Sequence, residues 1–341
     1  MIKVKISTDS PNWPLIRQTP ESSGIWGNYV FFINQDVDAC DWWFVYENLS
    51  KPESTTCPES NVVFITGEPP LTRTYDPKFL GQFSAAITSH TDLAHPNTIL
   101  VQQSLPWHIG VCRDKNGSIK GYMNFDDFIK SRPEITLKSK LVSVISSDKK
   151  YTRGHRQRLK FVDQLVKRLR GQVDHFGRGF NEVEDKWQAI APYKYHIVLE
   201  NSAFPHYFTE KLSDAILGWS YPIYYGCPNI HEYFPSSSLT MIDILDPSHA
   251  VDEIEKVIFS DTFEKKISQI RDARELVLYR YNLFPFLAEY TKGQATSQRK
   301  RIYLCPERYD RDLFSRLNRT YRTVKHYGPS RIYQLMLEKY L

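Results

Sequence analysis

Residues 195 to 212 gather side chains suited to holding an anion beside hydroxyl groups. Tyr195 to Leu199 is an apolar run with strand character, and a polar loop follows from Glu200 to Tyr207. Thr209 then stands where a helix N-cap belongs, because Leu212, Ala215, Ile216 and Trp219 recur behind it at helical spacing. The first turn of such a helix offers free backbone N–H groups and the positive end of the helix dipole, both of which attract phosphate. Lys211 adds a full positive charge, and the carboxylates of Glu200 and Glu210 can accept bonds from hydroxyls. In open α/β sheets ligands sit just past the carboxyl ends of strands, which is where this loop falls.

A second carboxylate, Glu68, ends the apolar strand Val62 to Ile65. Gly67 precedes it, and the pair Pro69-Pro70 stops the strand and stiffens the backbone around it. A third stretch is basic. The loop from Lys149 to Arg158 carries Arg153, His155, Arg156 and Arg158 between an apolar strand and a helix start, again a place where phosphates bind. Arg can hold two phosphate oxygens at once.

The elements that must position these groups form two α/β halves. In the first, residues 3–7, 29–33, 42–46, 62–66, 85–88 and 99–102 read as short buried strands. Residues 51–60 read as a Pro- and Ser-rich loop, and the polar segment 113–140 reads as a linker. The second half opens with a strand at 141–145. A helix follows, whose Leu159, Val162, Leu165, Val166 and Leu169 share one face, with Gly171 ending it. A strand at 173–176, a helix at 183–190 and the 195–228 region come next, then helices at 251–259 and 263–279.

Composition agrees with a soluble enzyme-sized chain. At 341 residues two domains are natural, since about 150 residues make one. The hydrophobic fraction of 41% supports real cores, and the 14% of aromatic residues suits packing and sugar faces alike. No run approaches the ~18 apolar residues of a membrane span. Met1 to Ile6 alternates like a first strand rather than a signal peptide. Cys40, Cys57, Cys112, Cys227 and Cys305 are odd in number and lack metal spacing, which predicts reduced thiols.

Leu199-Glu200-Asn201-Ser202, followed by Tyr207-Phe208-Thr209-Glu210-Lys211-Leu212, resembles the donor-binding motif of family 10 glycosyltransferases, the α1,3/4-fucosyltransferases. Pro222 to Pro228 is similar to that family's strand and its P-x-x-x-G-x-P turn. The resemblance implies a GT-B fold, two Rossmann-like α/β domains facing across a cleft. It sets an acceptor-side domain at 1–135 and a GDP-sugar domain at 136–290, with a basic tail at 291–341. It implies Glu68 as catalytic base, although Pro69 stands where many members have Ser. It implies Arg156 against the donor diphosphate, by alignment with the following Phe161-Val162-Asp163-x-Leu165 pattern. Glu200, Asn201, Tyr207, Thr209, Glu210 and Lys211 are its donor-binding set. His90 and Asp92, which end another strand of the first half, are offered for acceptor contact.

The implied reaction moves L-fucose from GDP-β-L-fucose to a glycan hydroxyl with inversion, giving an α1,3 or α1,4 linkage in surface polysaccharide or lipopolysaccharide. No metal or cofactor is expected, with Arg156, Lys211 and the helix N-terminus in place of a cation. Asp36-Val37-Asp38 spells a metal motif of other glycosyltransferases, but it lies in the other half from the donor residues. His108 and His196 read as packing or surface residues. Family members of animals and plants carry an N-terminal membrane anchor, so a bacterial-type cytoplasmic enzyme is expected. From Gln294 to Leu341 there are eleven Lys and Arg against four Asp and Glu, interleaved with Tyr and Leu. That pattern suits peripheral contact with an anionic inner membrane face; no nucleic acid partner is expected. The alternatives are another GDP-sugar donor on the same fold, or a catalytically silent carbohydrate- or membrane-binding protein.

Overall fold

A computed structural model describes residues 1–132, 138–149, 153–294, 297–307 and 337. Most of the expected basic tail lies outside the described residues. The chain divides into two units, residues 1–103 with the chain from 283 onward, and residues 104–282.

The first unit begins with β1 (Ile2–Thr8), β2 (Ile25–Trp26), β3 (Tyr29–Ile33), β4 (Trp42–Tyr46) and β5 (Glu53–Pro58). β6 (Val62–Ile65), helix α1 (Pro77–Leu80), β7 (Ala85–Thr88) and β8 (Thr98–Leu100) follow. Among the described residues its main sheet has the order β2-β3-β1-β4-β6-β7-β8. Every pairing in it is parallel except β2 with β3. A parallel sheet is covered on both faces, so its strands must be apolar on both. Phe44, Val63, Ile65 and Ile87 pack into one layer. Trp43, Val45, Phe64 and Ala86 pack into the other, with Phe79 and Leu80 of α1.

The second unit carries the hairpin β9 (Val111–Arg113) and β10 (Ile119–Tyr122), then α2 (Phe125–Lys130). β11 (Lys140–Ile145), α3 (Arg153–Arg168), β12 (Val173–Phe176), α4 (Lys186–Ile190) and β13 (Tyr193–Leu199) come next. α5 (Glu210–Leu217), β14 (Tyr221–Tyr225), β15 (Thr240–Met241), α6 (Pro247–Ile258), α7 (Thr262–Lys265) and α8 (Ile267–Tyr279) complete it. Its sheet runs β12-β11-β13-β14-β15, parallel throughout. Phe161, Val162 and Leu165 of α3, with Leu169 just past its end, pack on Val142, Val144, Tyr195 and Ile197, as the helical spacing predicts. The two parallel α/β units are the halves that a GT-B fold requires.

The packing sets the limits of the units elsewhere than 135 and 290. Much of the expected linker belongs to the second unit. Asn124 and Asp127 form a reciprocal capping box on α2. Arg274 of α8 then donates to the Phe128 carbonyl and, at 3.0 Å, to the Ser131 hydroxyl. At the other end the chain returns to the first unit through α9 (Leu283–Thr291) and β16 (Arg299–Leu304). Leu283, Phe284 and Leu287 join the layer of Phe44 and Ile65. β16 pairs antiparallel with β5, from Arg299 opposite Pro58 to Leu304 opposite Glu53. The segment expected as the 51–60 loop therefore holds a strand, because its alternating Glu53, Thr55 and Cys57 turn inward beside this partner.

Candidate functional site

Glu200 follows the last residue of β13, and its carboxylate is wholly buried. One oxygen accepts the Thr209 backbone N–H at 2.8 Å, and the Thr209 hydroxyl lies 2.8 and 2.9 Å from the two oxygens. The other oxygen accepts from Lys211 Nζ at 3.2 Å. Thr209 caps α5 as its spacing predicts, its hydroxyl oxygen accepting the Lys211 backbone N–H at 3.3 Å. Gly226, in the turn after β14, makes room for this knot. A Cβ there would come within 2.5 Å of Glu200 Cγ and 2.4 Å of the Tyr224 hydroxyl. Glu200 thus acts on the site through Thr209 and Lys211, fixing a cation at the start of a helix. Tyr207, just before it, is buried.

Charge is dense around α5. Glu210 lies 3.6 Å from Lys211, 3.5 Å from Lys186 and 3.7 Å from His108 Nδ1. Burial alone would raise the Glu210 pKa, but Lys211, Lys186 and His108 outweigh it and hold the carboxyl well below its ordinary value. Burial would lower the Lys211 pKa, yet Glu200 and Glu210 keep it raised. Buried Asp214 anchors Lys186 at 2.7 Å and accepts the backbone N–H groups of His108 and Ile109 at 2.9 and 3.0 Å. The His108 side chain, 45% exposed, thereby sits at the rim of the cluster, a placement that nothing in its sequence neighbours signals. His196 is buried in the sheet, its Nδ1 2.8 Å from the Ser143 hydroxyl. Burial pushes its pKa down to about 3.

The basic stretch splits between two faces of α3. Arg156 and Arg153 are exposed, whereas Arg158 is buried. Positions two apart on a helix point about 200° apart, so the two arginines cannot share a face. Arg158 Nη1 donates to Asn201 Oδ1, and among the described residues its Nε has no partner. Beside that acceptor, the Asn201 side chain carries two amide N–H donors. Gly154 lets the start of α3 press against the same loop, since a Cβ there would stand 2.1 Å from the Asn201 carbonyl oxygen. Gly154, Arg158, Asn201, Glu200, Thr209 and Lys211 are thus brought to one place at the carboxyl end of β13.

In the first unit Glu68 is exposed, just past the end of β6. Its backbone N–H donates at 2.7 Å to Glu47 Oε1, an acceptor that also takes the Gly67 N–H. Glu47 follows β4, the neighbour of β6, and Tyr75 and Arg73 complete its contacts. His90 is 3% exposed, and its Nε2 lies 2.7 Å from the Glu68 carbonyl oxygen. Asp92 is partly buried two residues on. Glu47 was absent from the residues singled out by sequence. Its one signal was a lone carboxylate at the end of an apolar strand, as with Glu68.

Among the described residues no three His, Cys, Asp or Glu side chains gather into a metal-binding group, and no helix is long and apolar enough to cross a membrane.

Two parallel α/β units, one carrying a cation at a helix start beside a strand end, define a chain of the GT-B class. Residues 135–263 match the model of the glycosyltransferase family 10 (fucosyltransferase) C-terminal domain. The chain is 31% identical over 103 residues to an α-(1,4)-fucosyltransferase of Arabidopsis thaliana, a stretch covering 23% of this chain and 26% of that protein. It is 34% identical over 77 residues to the α-(1,3)-fucosyltransferase FucT of Helicobacter pylori, covering 22% of this chain and 16% of that one. The chain thus spans about a quarter of the length of the first of these curated relatives and less of the second, at 26% and 16%. A crystal structure of an α1,3-fucosyltransferase with GDP aligns with a TM-score of 0.44 at 17% identity, over 83% of this chain and 92% of that one.

Proposed function

We propose that the chain transfers L-fucose from GDP-β-L-fucose to a glycan hydroxyl with inversion, giving an α1,3 or α1,4 linkage in surface polysaccharide or lipopolysaccharide. The observation that carries this reading is the buried Glu200–Thr209–Lys211 knot inside the segment that matches family 10. A fixed ammonium at the positive end of a helix dipole suits a diphosphate leaving group, whose negative charge grows as the sugar bond breaks. Arg156 and Lys211 are the side chains assigned to that charge. Asn201, Tyr207 and Glu210 are assigned to the rest of the donor, with Glu200 and Thr209 holding Lys211 in place.

The acceptor hydroxyl has a pKa far above 7, so a base must take its proton as the new bond forms. Glu68 is assigned this role, being exposed at a strand end on a loop that its neighbours hold. Attack from the face opposite GDP inverts the anomeric centre. Asp92 is assigned to the acceptor side.

A GDP-fucose transfer assay against a glycan array tests the reading. The expected product gains one deoxyhexose by mass and shows an α-anomeric proton. Glu68→Gln should lower turnover ~10²–10⁴-fold while leaving GDP affinity unchanged. Transfer from another GDP-sugar alone, or turnover of Glu68→Gln within about tenfold of wild type, would refute the donor or the base respectively.

A further inference from the structure

The first unit grips the backbone of Glu68 at both of its polar groups. The N–H donates to Glu47 Oε1 at 2.7 Å, and the carbonyl oxygen lies 2.7 Å from His90 Nε2. A carbonyl oxygen can only accept, so His90 carries its proton on Nε2 and spends it there. That nitrogen is then not free to take a proton from a substrate. On the other side, Pro69 and Pro70 have no N–H, so the Gly67 and Glu68 amides are the donors that the loop's backbone offers between Thr66 and Leu71. Both go to one oxygen of Glu47.

Glu47 is itself held from several directions. The Tyr75 hydroxyl donates to Oε1 at 2.7 Å, and Arg73 pairs with Oε2. Arg73 also pairs with Glu307 at 3.2 Å. The Glu47 backbone has a φ of +66°, in the left-handed region that a side chain disfavours. Strain of this kind persists where surrounding structure over-determines it, and it gathers at functional sites. Gly67 completes the fit, since a Cβ there would come within 2.9 Å of both Glu47 Oε1 and the Tyr46 hydroxyl.

We propose that Glu47 and His90 are positioning residues that fix the direction of the Glu68 side chain by clamping its peptide groups from either side. The proposal rests on the reading of Glu68 as the base. A general base must come within hydrogen-bond reach of the proton it takes. A displacement of about 1 Å can cost ~10²-fold in rate. The segment Gly67-Glu68 therefore has its aim set by Glu47, with His90 holding the far side.

A double-mutant cycle with amide exchange tests this. Glu47→Gln places an NH2 group in a pocket that holds the Arg73 guanidinium, which loosens the carboxamide from the loop. It should lower turnover ~10²-fold with GDP affinity unchanged. In the Glu68→Gln background the same change should have almost no further effect on the residual rate, because the residue it acts through is gone. Hydrogen exchange in the peptide spanning 66–71 should quicken in Glu47→Gln and Glu47→Asp, the second variant guarding against loss of folding. His90→Gln, which keeps a donor, should be milder than His90→Leu. Losses that multiply fully in the Glu68→Gln background, or unchanged exchange at 66–71, would overturn the clamp alone. Full turnover by Glu68→Gln would overturn the base reading and the clamp with it.

Discussion

Lys211→Met is the perturbation that separates holding the site together from holding the donor. Lys211 Nζ is 3.2 Å from a Glu200 carboxylate with no exposure, while the lysine side chain keeps 24% of its own. At an effective dielectric of about 20, an ion pair at that distance is worth ~5 kcal/mol before desolvation. Removing one partner leaves Glu200 charged and buried, which typically costs ~3–5 kcal/mol. Water reaches the lysine side, so the lower end applies, about 3 kcal/mol. That corresponds to a fall of roughly 6–12 °C in the melting midpoint of a unit this size. The double variant Glu200→Gln/Lys211→Met removes the orphaned charge and lets the carboxamide oxygen accept the Thr209 N–H. It should recover most of the lost stability. Donor affinity should not recover, because the ammonium assigned to the diphosphate is still absent. Loss of a hydrogen bond to a charged group, ~1.5–3 kcal/mol, weakens GDP binding about 10–150-fold. Calorimetry with GDP and thermal unfolding of all three variants supply the readout. Wild-type GDP affinity in the double variant would refute the placement of Lys211 at the donor. A double variant as unstable as Lys211→Met would refute the argument from the buried carboxylate.

Gly154→Ala drives a Cβ to within 2.1 Å of the Asn201 carbonyl oxygen, so the loop or the helix must shift; GDP affinity should fall, and a titration that matched wild type would contradict the role given to this contact. His196 is held neutral, with its pKa pushed from 6.5 to about 3, so the unfolded chain takes up the proton first. Its contribution is full above pH ~6.5 and is lost as pH falls from there toward 3, at up to ~1.4 kcal/mol per pH unit. His196→Gln should flatten the stability curve between those limits, and a curve parallel to wild type would count against the burial argument. Transfer should survive EDTA, because cationic side chains are assigned to the leaving group; abolition by chelator with rescue by Mn²⁺ would instead assign that charge to a metal.

Much of the second unit was legible because its chemistry is local. From Tyr195 to Lys211 the strand, the polar loop, the cap and the cation follow one another, and each is dictated by residues a few positions away. The Thr209 cap and the apolar face of α3 are of the same kind, set by helical period alone. Glu68 was visible too, since a carboxylate between Gly67 and two prolines at a strand end needs no distant partner to be noticed.

What the sequence withheld depends on neighbours far along the chain. β5 reads as a loop until β16 returns to pair with it, because an isolated run of alternating residues has no ladder to complete. α9 lies beyond the second unit in sequence, yet its Leu283, Phe284 and Leu287 bury against the first unit's sheet, where the apolar surface is. Arg156 and Arg158 look alike as letters, and only the phase of α3 against the Asn201 loop buries one and exposes the other. Glu47 is the clearest case. Nothing in its own segment marks it, and its importance arises only when β4 lies beside β6 and delivers its carboxylate to the two amides before Pro69. Residue types and local spacing fixed which groups could do chemistry; the parallel sheet, by making distant strand ends adjacent, decided which of them act together.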